Sequence, residues 1–124
     1  MFVEINNVNI YYESYGKGTP IILIHGHGES IYIWRYMIDT LANKFSIYAI
    51  DLKGFGESDK PINSSYSISS MSELIIDFMD KLQIENAILV CHSFAGKIGI
   101  RTIIDNPKRI IGIVLLGTAM GKFK

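Results

Sequence analysis

The 124-residue chain contains one cysteine, so neither an internal disulfide nor a cysteine-rich zinc site can form. It has no surplus of either charge. Twelve Lys and Arg balance twelve Asp and Glu, leaving no basic face for a phosphate backbone and no polybasic segment for anionic lipid. Nucleic acid and membranes are therefore not expected partners. No apolar stretch approaches the roughly 20 residues of a spanning helix. The N-terminus carries Glu4 and alternating polar residues where a secretory leader would have a basic flank and an apolar core. A cytoplasmic location is the simplest reading. Histidine is scarce too: His25, His27 and His92 all lie in loop motifs, and no metal or cofactor is implied. Beyond His92 there is no further histidine, and beyond Asp105 no further carboxylate.

Apolar residues are plentiful. With 48% hydrophobic and only 19% charged residues, the chain has the material for a packed core and the length of one ordinary domain, residues 1–124. There are no repeats, low-complexity stretches or internal linkers. Phe2–Ile5 and residues 8–14 read as strands joined tightly through Asn6-Asn7, because asparagine tolerates the positive φ of such a turn. The runs 21–24, 47–50, 87–90 and 110–116 are apolar on both faces, as strands of a parallel sheet covered on both sides must be.

Helical periodicity fills the intervals. Ile31, Trp34, Ile38 and Leu41 recur at spacings of three and four, as do Met71, Leu74, Ile75, Phe78 and Leu82. Trp34 falls on the apolar stripe and reads as core. Ser70 and Glu73 have capping-box spacing, which predicts a helix start at Ser70. A third helix is expected over 94–105, stopped by Asn106-Pro107 because the residue before a proline avoids the helical region. Alternating strands and helices predict an α/β architecture with right-handed crossovers.

Three loops then fall at the C-terminal ends of parallel strands, where open α/β sheets bind ligands. In His25-Gly26-His27-Gly28, the glycines leave amides unobstructed, so the His27 N–H can face a developing oxyanion; His25 reads as structural. In the loop 51–58, Asp51 and Ser58 are expected to bond loop amides while Gly54 and Gly56 make the turns, so Asp51 is not assigned to catalysis. The third, Cys91-His92-Ser93-Phe94-Ala95-Gly96, opens a helix directly after a strand. Such a turn exposes the serine Oγ and sets the next N–H beside it. Ser93 is the nucleophile candidate and Phe94 N–H the second oxyanion donor. Cys91 and Ala95 replace the glycines usual at those positions, which predicts a strained elbow. His92 is expected to point into the fold, and Cys91 to be a small buried hydrophobe.

In order and spacing, these motifs resemble the α/β-hydrolase family, in the branch with an HGxG loop, a DxxGxGxS loop and a serine elbow. The match runs from the opening hairpin through Trp34 to residues 111–119, which look like a sixth strand and its loop. The resemblance implies an incomplete α/β-hydrolase fold: an N-terminal β-hairpin and a mostly parallel sheet of order 1-2-4-3-5-6, with strands seven and eight and a cap domain absent. It implies Ser93 attacking an ester or related small acyl substrate, with no cofactor.

The family's acid and histidine follow the sixth strand, and neither occurs in residues 117–124. His27, as part of the oxyanion loop, has no reason to reach Ser93 as a base. Without triad partners only the acceleration from binding and the oxyanion hole remains, roughly 10³ to 10⁴-fold over water. The expectation is a truncated serine hydrolase, weak or inactive alone; the alternative is a non-catalytic relic or binding module. An edge at Ile110 to Leu116 would leave apolar side chains beside water, to be covered by a second polypeptide or by self-association.

Overall fold

A computed structural model of the protein describes residues 1–119. Strands β1 (Phe2–Ile5) and β2 (Val8–Tyr15) form the opening hairpin, with Asn6 and Asn7 at φ 50° and 65°. Positive φ at both central residues is the two-residue turn whose twist matches paired strands. Then follow β3 (Thr19–Ile24), a 3₁₀ turn (Ile31–Trp34), α1 (Arg35–Leu41), β4 (Phe45–Ile50), α2 (Ile68–Lys81), β5 (Ala87–His92), α3 (Ala95–Asp105) and β6 (Ile110–Leu116). The six-stranded sheet has the order β1-β2-β4-β3-β5-β6, antiparallel at the hairpin and parallel from β4 to β6.

Burial follows from the strands being apolar on both faces. Ile22, Ile24, Ile50, Leu89 and Cys91 pack under α2 and α3 with Phe78, Ile75 and Met79. Ile21, Leu23, Ile47, Ala49 and Val90 pack on the opposite side with Trp34 and Ile38. Phe78 is fully buried, edge-on to Tyr12 at 5.4 Å between ring centroids. Burying one such side chain is worth about 1.5–3 kcal/mol. Between α2 and α3, the hydroxyls of Ser72 and Thr102 bond each other at 2.9 Å, so neither is stranded in the core.

Three helix starts differ from the sequence reading. Ser67, not Ser70, caps α2: its extended backbone lets its Oγ accept from Ser70 N at 3.1 Å. Ser70 lies inside the first turn and donates to the carbonyls of Ser65 and Ser67. Any of several neighbouring serines can cap, and the pattern 70–73 does not say which one does. The first helix opens as a 3₁₀ turn capped by Ser30, whose Oγ accepts from Tyr32 N, while the Asp51 carboxylate accepts from Ile31 N at 2.8 Å. The third begins at Ala95, one residue later than expected.

Strand β6 pairs only with β5 among the described residues. Its Ile111 and Val114 side chains are 56% and 45% exposed. No helix among the described residues is long and apolar enough to cross a membrane.

Candidate active site

The parallel registers Ile24↔Ile50, Ile24↔Cys91 and His92↔Leu116 bring four strands to their C-terminal ends side by side. The loops after β3, β4, β5 and β6 therefore meet at one sheet edge. Ser93 is the first residue beyond β5 and holds φ 54°, a left-handed conformation costly for any residue with a Cβ. Its main chain is clamped: Ser93 N donates to Leu116 O at 2.7 Å, and Ser93 O accepts from Gly96 N at 3.0 Å and Thr118 Oγ1 at 2.8 Å. The side chain lies exposed at the bend.

The departure from glycine at Cys91 is accommodated by compensating space. Cys91 is fully buried, and a Cβ on Gly99 of α3 would come within 2.6 Å of its Sγ, so the missing side chain on the helix makes room for the one on the strand. Burial pushes the Cys91 thiol up to about 12, which marks it as an inert core residue. Ala95 is also fully buried, its methyl in the core beneath α3.

The oxyanion-loop candidate lies against this bend. A Cβ placed on Gly26 would sit 2.5 Å from Glu29 Oε1, 3.0 Å from His92 O and 3.3 Å from Ser93 Cβ, so its neighbours would have to shift to admit a side chain. The His27 ring meets Phe94 edge-on at 6.2 Å and Phe55 at 5.4 Å. Among the described residues, neither the His27 nor the Phe94 N–H is spent on a hydrogen bond. The first and third loops thus each carry an amide without a hydrogen-bond partner among the described residues.

A match to the family model described as alpha/beta hydrolase fold covers residues 19–124. The chain belongs to the alpha/beta hydrolase fold family. Among relatives, an uncharacterized hydrolase, YugF, of Bacillus subtilis (strain 168) is 34% identical over 115 residues, which is 90% of this chain and 42% of the relative. The 2-hydroxymuconate semialdehyde hydrolase of Pseudomonas sp. (strain CF600) is 35% identical over 107 residues, 84% of this chain and 38% of the relative. A solved meta-cleavage product hydrolase from Pseudomonas fluorescens IP01 superposes with a TM-score of 0.95 at 37% identity, covering 100% of this chain and 47% of that one. The chain thus spans somewhat under half the length of these hydrolases.

The remaining motif residues of this hydrolase-fold chain have structural positions. Asp51 is buried and accepts from Ile31 N and Glu57 N, each at 2.8 Å, so its carboxylate organises two loops rather than facing the serine. Ser58 accepts from Tyr11 N and donates to Asp51 O, which ties the second loop to β2. His25 is fully buried: its Nε2 accepts from Leu52 N at 3.0 Å and its Nδ1 lies 2.7 Å from Gly26 O. That pairing requires the neutral tautomer with hydrogen on Nδ1. Burial pushes the His25 pKa down, against smaller upward pulls from Gly26, Asp51 and Glu29. Trp34 is buried as expected, and its indole N–H has no partner among the described residues.

His92 corrects the sequence reading. Instead of pointing into the core, its side chain is 39% exposed, and its Nδ1 is 2.7 Å from Glu29 Oε1. Residues in a strand alternate faces, so His92 follows Val90 to the α1 side and leaves Cys91 to the opposite core. Glu29 and Thr118 were not singled out from sequence. A carboxylate directly after His25-Gly26-His27-Gly28 was the available signal for the first. Among the described residues, no group of three His, Cys, Asp or Glu side chains is placed to hold a metal.

Proposed function

We propose that the chain is part of a serine hydrolase that acts on an ester or related small acyl substrate. Ser93 Oγ attacks the carbonyl carbon, and the His27 and Phe94 N–H groups take the negative charge that develops on its oxygen. The observation that carries this reading is a serine forced to φ 54° at the end of a parallel strand, with two uncommitted amides in the adjoining loops. Amides so arranged are useful where charge appears on an oxygen beside the attacked carbon. That favours acyl transfer over displacement at a saturated carbon. The relatives named as hydrolases of a semialdehyde and of a meta-cleavage product support hydrolysis as the overall reaction.

The base and its acid come from polypeptide outside the described residues, so the chain alone is weak or inactive. His25 and His92 are already paired with Leu52, Gly26 and Glu29. The same missing polypeptide, or a second copy of this chain, covers β6, whose exposed Ile111 and Val114 favour an added strand and a packed layer. A competing reading, a non-catalytic relic or binding module, is favoured by one fact: no imidazole among the described residues bonds the Ser93 hydroxyl. Hydrolysis of p-nitrophenyl acetate separates the two. A polypeptide that extends this chain through the segment following it should hydrolyse the ester and lose that activity on S93A. Equal turnover by S93A, or none by the extended protein, overturns the hydrolase reading.

A further inference from the structure

One carboxylate oxygen fastens the first loop to the third. Glu29 Oε1 accepts from Gly26 N at 2.6 Å and lies 2.7 Å from Nδ1 of His92, the residue before Ser93. The Glu29 main chain acts on the same glycine, since Glu29 N donates to Gly26 O at 3.2 Å. His25 Nδ1 holds that carbonyl from another side at 2.7 Å. Both peptide planes flanking Gly26 are therefore fixed. In a trans peptide, C=O and the following N–H point in opposite directions. Holding Gly26 O on His25 and Glu29 consequently aims the His27 N–H the other way.

The grip extends into the elbow. His92 is held between Glu29 and the edge of Trp34, whose ring centroid is 6.4 Å away at an interplanar angle of 85°. Moving the carboxylate would release both the peptide that carries the His27 amide and the residue that leads into Ser93. Burial pushes the Glu29 carboxyl up, but the bonds from His92 and Gly26 together hold it below the ordinary carboxylate value. Glu29 is thus charged across the neutral range and accepts both hydrogens.

We propose that Glu29 is a positioning residue: it ties the oxyanion loop to the nucleophile elbow through Gly26 N and His92 Nδ1, and so sets the His27 amide beside Ser93. The kinetic part of this proposal rests on the hydrolase reading; the structural part does not. A misplacement of about 1 Å in such a site costs on the order of tenfold to a hundredfold in rate.

The test compares wild type, E29A and E29Q by two readouts. The first is labelling of Ser93 by an alkyl fluorophosphonate, resolved into the dissociation constant and the bond-forming rate constant. The second is amide hydrogen exchange at Gly26, with the α2 amides as the internal reference. E29A is expected to lower the bond-forming constant on the order of tenfold or more with the dissociation constant unchanged. It should also speed exchange at Gly26 while α2 stays as in wild type. E29Q, whose carbonyl oxygen still accepts from Gly26, should recover most of both losses. An unchanged labelling constant in E29A overturns the proposal, as does exchange that rises equally in α2, which would make Glu29 a general stabiliser. If wild type fails to label both as this chain and as the polypeptide extended past it, the hydrolase reading falls and Glu29 is judged by exchange alone. In that case, wild-type exchange at Gly26 in E29A overturns the tie.

Discussion

Acid should weaken this fold first at His25. The ring is fully buried, and its Nε2 serves as acceptor for the Leu52 amide, so a proton there would place two N–H groups head to head. The folded state therefore holds the imidazole neutral, with its pKa pushed by burial below the ordinary 6.5. The unfolded chain takes up the proton near the ordinary value. Stability is thus complete above that value and is lost as pH falls from it toward the folded pKa. Within this window the slope is about 1.4 kcal/mol per pH unit, the linkage for one proton bound by the unfolded state alone. That is comparable with leaving the Leu52 N–H buried and unpaired, about 1–3 kcal/mol. Urea unfolding followed by circular dichroism, from about pH 7.5 to about pH 5.5, measures the slope in wild type and in H25N. The variant should lose the His25 share and unfold with a flatter pH dependence. If H25N does not fold, nitrogen NMR of wild type decides: His25 should stay in the Nδ1–H form at pH values where an ordinary histidine is half protonated. Parallel slopes, or a His25 titrating at or above its ordinary value, would refute the reasoning.

Three further perturbations probe the framework of the site. Cys91, its thiol raised to about 12 by burial, should not react with a disulfide reagent until the protein unfolds; fast reaction in native buffer would contradict its core placement. D51A removes the acceptor for Ile31 N and Glu57 N and should cost about 3 kcal/mol in urea unfolding. A loss well under 1 kcal/mol would show that the carboxylate does not organise these loops. G96A drives a methyl into the Thr118 side chain, which holds Ser93 O, and should cost about 1–3 kcal/mol, less in a T118A background. Equal costs in the two backgrounds would deny the contact.

Legibility in the sequence followed the range of each interaction. Asn6-Asn7 fixes its hairpin through two adjacent backbones, and the runs 21–24 and 87–90 declare a covered parallel sheet by being apolar on both faces. The loop motifs were readable for the same reason: the glycines and Ser93 carry their own conformational demands. What escaped depends on distant partners. Glu29 reaches His92 across 63 residues of chain, and Asp51 caps a turn 20 residues before it. No local periodicity records either bond. The start of α2 escaped for the opposite reason, since the serines from 64 to 70 offer several near-equivalent caps. The direction of the His92 side chain was fixed by strand alternation and could have been deduced once β5 was placed.

Where a fluorophosphonate attaches is the most direct measure of whether the strained bend after β5 presents an activated hydroxyl. Peptide mapping by mass spectrometry should be done on this chain and on the polypeptide extended past its last residue. The adduct should fall on Ser93 alone, faster in the extended protein, and disappear in S93A. Modification of a different serine, or none at Ser93 in either protein, would contradict the account.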